Sequence, residues 1–140
     1  MNGVPFDVEA SERLPIEADA DVVKVRQATR TLATKAALSI VEQTKIVTAA
    51  SELARNTLVH GGGGFAQLEL IRTSQRGGVR ATFSDEGPGI ADVTLALTEG
   101  YTTGTGLGLG LSGSRRLVDE FDLRTDVGAG THVTIIKWGR

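Results

Sequence analysis

The sequence predicts an α+β fold, a two-layer sandwich in which a mixed, mostly antiparallel sheet is covered by helices. Three observations lead there. Strand-like runs come in pairs separated by helical runs, and no repeating strand–helix–strand rhythm appears in the 140 residues. The glycines gather between patterned segments instead of forming a serine-rich linker. With no internal repeat and about one domain's length, residues 1–140 read as a single domain.

The elements follow in order. Val4, Phe6 and Val8 alternate ahead of Leu14 and Ile16, which predicts an early strand or a pair of short ones. From Asp19 the spacing changes. Val22, Val25, Ala28, Leu32 and Ala36 recur at three- and four-residue steps, predicting a helix over 20–36 with Asp19 or Asp21 at its start. Ser39 and Glu42 form a capping box, and a second helix continues through Ile46, Ala49, Ala50, Leu53, Thr57 and Leu58 to the glycines at 61–64. Residues 65–72 and 77–83 alternate and are joined by a polar turn ending in Gly77-Gly78, a hairpin signal. Residues 84–106 read as a loop with a helical turn near 93–97. A third helix is expected from Leu107 to Phe121. Residues 122–127 and 132–138 then close the chain as a hairpin around Gly128-Ala129-Gly130.

Composition narrows the function classes. A formal charge of −2 with no Lys/Arg run gives no footprint for nucleic acid or for a membrane surface. Without cysteine there are no disulfides or thiolate metal sites, and two histidines weigh against a zinc centre. The start has no apolar core of a signal peptide, and no apolar run approaches the roughly 18 residues needed to span a bilayer. A cytoplasmic protein is expected. Eighteen glycines exceed the average usage of about 7%, and their clustering points to backbone that serves a ligand.

Three motifs carry the chemistry. In Glu52-Leu53-Ala54-Arg55-Asn56, Glu52 and Asn56 are one helical turn apart and share a face, which His60 extends. Asn56 offers an uncharged oxygen to Mg²⁺ and Glu52 can accept a proton. In Asp85-Glu86-Gly87-Pro88-Gly89, a carboxylate ends a strand where it can accept from an amino group such as adenine's, and Gly87 and Gly89 allow close approach. In Gly104-Thr105-Gly106-Leu107-Gly108-Leu109-Gly110, glycine stands at every second position on the way into a helix. Each costs a helix up to about 1 kcal/mol relative to alanine, a cost that fits backbone N–H groups crowding around a phosphate. No Gly-Lys-Ser/Thr follows, so this is not a Walker A loop, and no parallel βαβ unit surrounds it. Alone, each motif also has an ordinary reading: a solvated helix face, a turn, a flexible loop.

Taken in order, the three motifs resemble the N box and the two glycine boxes of the GHKL superfamily, which includes gyrase-type ATPases, histidine kinases and anti-sigma-factor kinases. Gly130-Thr131 is similar to that family's terminal Gly-Thr. The resemblance covers about residues 40–138 and implies the Bergerat ATPase fold with ATP and Mg²⁺ as cofactors. It implies that Asp85 receives the adenine amino group, with Thr131, Gly87 and Gly89 beside it. Gly104, Thr105, Gly106, Leu107, Gly108 and Gly110 would wrap the phosphates, Asn56 would hold Mg²⁺, and Glu52 would be catalytic. Residues 91–103 would be a lid.

Within the superfamily, the chain is short for types with a second ATPase domain. Residues 1–50 contain no histidine to serve as a phosphoacceptor. The stretch 108–121, the segment Ser51-Glu52-Leu53-Ala54-Arg55-Asn56 and the end containing Trp138 resemble the RsbT-type partner-switching kinases. That resemblance implies phosphorylation of a serine or threonine on a STAS-domain scaffold or antagonist, as in a stressosome, and release of the kinase to a downstream phosphatase. Anti-sigma factors that act by sequestration share the same boxes. One departure stands out: Val59 occupies a position where many histidine kinases carry a basic residue. Arg55 and Arg116 are both candidates to meet phosphate instead.

Overall fold

The computed structural model describes residues 5–90, 97 and 110–140. Strand β1 (Asp7–Ile16) leads into helices α1 (Asp19–Lys35) and α2 (Ile40–Val59), followed by strands β2 (Gly64–Arg72) and β3 (Gly77–Asp85). Helix α3 (Leu111–Leu117) and strands β4 (Glu120–Asp126) and β5 (Gly130–Trp138) complete the order. The five strands form one sheet in the order β1-β2-β3-β5-β4, and each of its four pairings is antiparallel. The early strand is one element, with a register shift between Val8 and Ala10.

Alternation decides which sheet face meets the helices. Ala66, Leu68 and Leu70 of β2, Val79, Ala81 and Phe83 of β3, and Val133 and Ile135 of β5 join one core with Val25, Leu32, Ile46, Ala50 and Leu53 of α1 and α2. Burying each large aliphatic side chain contributes about 1.5–3 kcal/mol. The opposite face carries a small second cluster, in which Phe6 meets the ring of Trp138 edge-on over Ile71 and Ile136. Among the described residues, no helix is long and apolar enough to cross a membrane.

The helix ends show how the termini are satisfied. The Ser39–Glu42 box forms in full: Glu42 N–H donates to Ser39 Oγ (3.1 Å) and Ser39 N–H to Glu42 Oε1 (2.7 Å). At α1 the acidic residue that acts is Asp21, whose Oδ2 accepts from the N–H groups of Glu17 and Ala18. After α1 the chain reverses through Ala37, which is left-handed at φ 62°, while Leu38 N–H donates to Ala33 O. An L-residue costs about 1–2 kcal/mol in that region. Ala37→Gly should therefore stabilise the fold by about 0.5–1 kcal/mol after the added unfolded-state entropy of glycine. The check is a urea titration, where a raised midpoint with an unchanged slope is expected and a lowered one would contradict the strain argument.

The third helix is shorter than its periodicity predicts. It ends at Leu117, Val118 is extended, and β4 starts at Glu120, so Phe121 is a strand residue paired with Ile135. Pairing to β5 overrides helical preference here. Asp119 N–H donates to Ile136 O (2.9 Å), and its carboxylate accepts from Trp138 N–H (2.7 Å) and faces the buried Lys137 Nζ (3.3 Å). The expected helical turn at 93–97, the lid at 91–103 and helix residues 107–109 fall outside the described residues, apart from Leu97, which packs against the core.

Candidate nucleotide site

The site forms where the end of α2 meets the end of β3 and the start of β5. On α2, Leu53 and Thr57 point into the core, and the adjoining stripe Glu52, Asn56 and His60 lies along its margin. Asn56, Thr57 and His60 line a cavity of about 50 Å³ together with Gly61, Asp85, Gly89 and Thr131. The rest of its wall is apolar: Leu53, Phe83, Ile90, Leu111 and Val133. Four expected site residues, Asn56, Asp85, Gly89 and Thr131, thus share one cavity although they span 75 positions of sequence (131 − 56).

Asp85 ends β3 opposite Thr131 of β5. Its Oδ1 accepts from Gly87 N–H (2.9 Å) and Thr131 N–H (3.2 Å). These bonds fix the carboxylate in a nearly buried position, and Oδ2 lies beside the bare Cα of Gly61. A Cβ on Gly61 would sit 2.5 Å from that oxygen, so only glycine leaves the carboxylate its place. Gly87 therefore acts as a clasp for Asp85.

The second glycine of the motif acts differently. Gly89 has φ 76°, and a Cβ there would come within 2.2 Å of Asp126 O. The turn is held to the β4–β5 hairpin by Gly128 N–H donating to Pro88 O (2.7 Å) and Ile90 N–H donating to Thr125 Oγ1 (2.9 Å). Gly130 lies tight against β3 on the other side, since its Cβ would meet Asp85 O at 2.1 Å. The close fit of the two strand ends thus depends on glycine in both.

Glu52 does not line the cavity. It packs against Gly110, where an added Cβ would stand 2.3 Å from Glu52 Cγ. Gly110 caps α3 with φ 68°, so Glu52 marks the point where the glycine run enters that helix. Arg55 and Arg116 are exposed. Gly104, Thr105, Gly106, Leu107 and Gly108 lie outside the described residues.

Motif reading missed Thr125, Gly61 and the apolar lining. Thr125 stands opposite Thr131 in the β4–β5 register, and its Oγ1 lies 3.0 Å from Thr131 Oγ1. The hairpin spacing around Gly128 held that signal. Among the described residues, no group of three or more His, Cys, Asp or Glu could hold a metal. One carbonyl ligand from Asn56 fits Mg²⁺, an ion that keeps waters and borrows phosphate oxygens. An apolar slot with a carboxylate at one end likewise suits a flat heterocycle bearing an amino group.

The family model of the histidine kinase-like ATPase domain matches residues 15–137. Over 125 residues the chain is 39% identical to serine/threonine-protein kinase RsbT of Bacillus subtilis (strain 168), which covers 89% of this chain and 94% of that protein. Solved structures share the fold, among them the two that follow. The RsbU and RsbW domains of a Mycobacterium tuberculosis protein superpose with a TM-score of 0.64 at 20% identity, covering 94% of this chain and 33% of that one. A chain of the SiaB–SiaC complex from Pseudomonas aeruginosa gives 0.54 at 17% identity, covering 94% and 90%. With Asn56, Asp85, Gly89 and Thr131 meeting at one cavity, the chain belongs to the histidine kinase-like ATPase family and is a homologue of the serine/threonine kinase RsbT.

Proposed function

We propose that the protein is an ATP-dependent serine/threonine kinase of a bacterial partner-switching system, acting in the cytoplasm on a STAS-domain antagonist or scaffold. The observation that carries the reading is the meeting of Asp85 and Thr131 in an apolar cavity flanked by Asn56, within a chain 39% identical to a named serine/threonine kinase. A downstream phosphatase is the second partner, engaged when the kinase leaves its phosphorylated substrate.

When bound, ATP and Mg²⁺ supply the transferable phosphoryl group and the charge that offsets it. The roles of the chain follow from position. Asp85 Oδ2 accepts from the base's amino group while Oδ1 stays tied to the backbone. Leu53, Ile90, Leu111 and Val133 line the cavity and would pack on the base and exclude water. Asn56 would hold the metal through a neutral oxygen, and Gly104, Thr105, Gly106, Leu107, Gly108 and Gly110 would give backbone donors to the phosphates. Glu52, at the entry to α3, orients the acceptor hydroxyl and takes its proton.

The test is label transfer from radiolabelled ATP to candidate STAS proteins, run beside sigma-factor binding. Label on a STAS serine or threonine is the expected result. Tight sigma binding without transfer would replace the kinase reading with sequestration. In the same assay, Asn56→Ala should cut transfer by at least about 10²-fold and make nucleotide binding less dependent on Mg²⁺. Normal activity with normal magnesium dependence would remove Asn56 from the metal site.

A further inference from the structure

Strand β1 is an edge of the sheet: it pairs with β2 on one side, and among the described residues no strand covers the other. Such an edge presents backbone N–H and C=O groups that can pair with a further strand. Along it, on the helix side of the sheet, a groove of about 580 Å³ runs between β1 and α1. Its floor is apolar, formed by Ala10 and Leu14 of the strand and by Ala28 and Leu32 of the helix. Alanine at two of these four places leaves the groove unfilled.

The charges of the groove stand in a fixed order. Helix α1 retraces β1: it starts just after Ile16, and its last carbonyl, Lys35 O, meets Arg72, which also holds Glu9 near the start of the strand. Counted from the joint between them, Lys24 lies about 8 Å and Lys35 about 24 Å along the helix, at roughly 1.5 Å per residue. Glu12 lies about 13 Å from the same joint, at roughly 3.3 Å per residue of strand. All three are exposed and line the groove. Along its length the wall therefore reads lysine, glutamate, lysine. None of the three has an ion-pair partner among the described residues. Glu12 shares the inward face of β1 with Ala10 and Leu14, and an inward-facing charge guards an edge against a plain apolar strand. The groove thus admits a strand that answers that charge.

We propose that this groove is a docking surface for an extended segment of a partner protein. The segment joins β1 as a further strand and turns acidic, basic and acidic side chains in succession toward α1. Two acids four residues apart on a strand stand about 13 Å apart, against about 16 Å between the lysines, a gap that flexible lysine stems close. The central base meets Glu12 while its stem covers the apolar floor. Backbone pairing supplies affinity, and the charge order supplies specificity. The groove shares no residue with the nucleotide cavity and does not depend on what that cavity binds.

Two fluorescently labelled peptides with blocked ends test this on the full chain. One is Thr-Asp-Val-Lys-Val-Asp-Thr, and the other is its charge inverse, Thr-Lys-Val-Asp-Val-Lys-Thr. In anisotropy titrations, wild type should bind the first about tenfold more tightly, with a preference that shrinks as salt rises. Glu12→Lys combined with Lys24→Glu and Lys35→Glu should invert the preference, which a general loss of structure could not do. Hydrogen exchange over residues 7–16 should slow when the first peptide is added, because outward N–H groups gain partners. If the combined variant does not fold, Lys35→Glu alone decides, and it should narrow the wild-type preference about threefold. Equal affinity for the two peptides, no saturable binding to wild type, or slowed exchange only outside β1 would overturn the proposal. A dimer in ultracentrifugation that the first peptide dissociates would assign the edge to a second copy of the chain and overturn it as well.

Discussion

An Asp85→Asn chain should fold normally and lose ATP affinity by at least about 10²-fold. The structure gives the reason for both halves. Asparagine retains one oxygen, and the N–H groups of Gly87 and Thr131 hold that oxygen in the place of Oδ1. The amide nitrogen must then take the place of Oδ2 beside Gly61, where it offers a donor to the base's amino group. A charge-assisted bond of about 1.5–3 kcal/mol disappears and two donors face each other. Calorimetry with ATP, beside a thermal melt, separates the outcomes. Near wild-type affinity would take Asp85 out of the base site, and a collapsed melt would mean that its structural bonds dominate.

Glu52→Gln should separate chemistry from binding. The substitution preserves shape and most hydrogen-bonding capacity but removes basicity. If Glu52 takes the proton of the acceptor hydroxyl, single-turnover transfer with pre-bound ATP and saturating partner should slow by about 10²–10⁴-fold. ATP affinity should hardly change, because Glu52 lies at Gly110 and outside the cavity that Asp85 closes. Unchanged transfer would mean that the step runs without base assistance, which a loose transition state permits. Lost ATP binding would move Glu52 to the magnesium shell.

Much of this molecule was legible in its sequence because local signals and global packing agree. The Ser39–Glu42 box, the three- and four-residue spacing from Val22 onward and the alternation of β2 and β3 each report a local preference that the core then uses. The end of α3 was not legible. Nothing local tells Phe121 to pair with Ile135, a contact made only when β5 arrives. The same holds for Thr125, which gains its meaning from a hydroxyl six residues away across a turn and an N–H thirty-five residues back. Motifs showed Asp85 and Thr131 as separate points, and the β3–β5 register makes them neighbours.

That register has a further consequence for how long the molecule lasts. The bond from Thr131 N–H to Asp85 spans 46 residues, the kind of long-range seam that forms late and whose loop closure costs roughly 3 kcal/mol of chain entropy. The cavity exists only once β3 and β5 are zipped, so a nucleotide held there as proposed would bind the closed seam and not the open chain. At a nucleotide concentration about 100 times the dissociation constant, mass action adds about 2.7 kcal/mol against opening, nearly the whole closure cost. Proteases that work on transiently opened chains would then find far fewer of them when the cavity is occupied. The lifetime of this protein would thereby depend on how fully its own cavity is occupied, apart from any regulation of its synthesis.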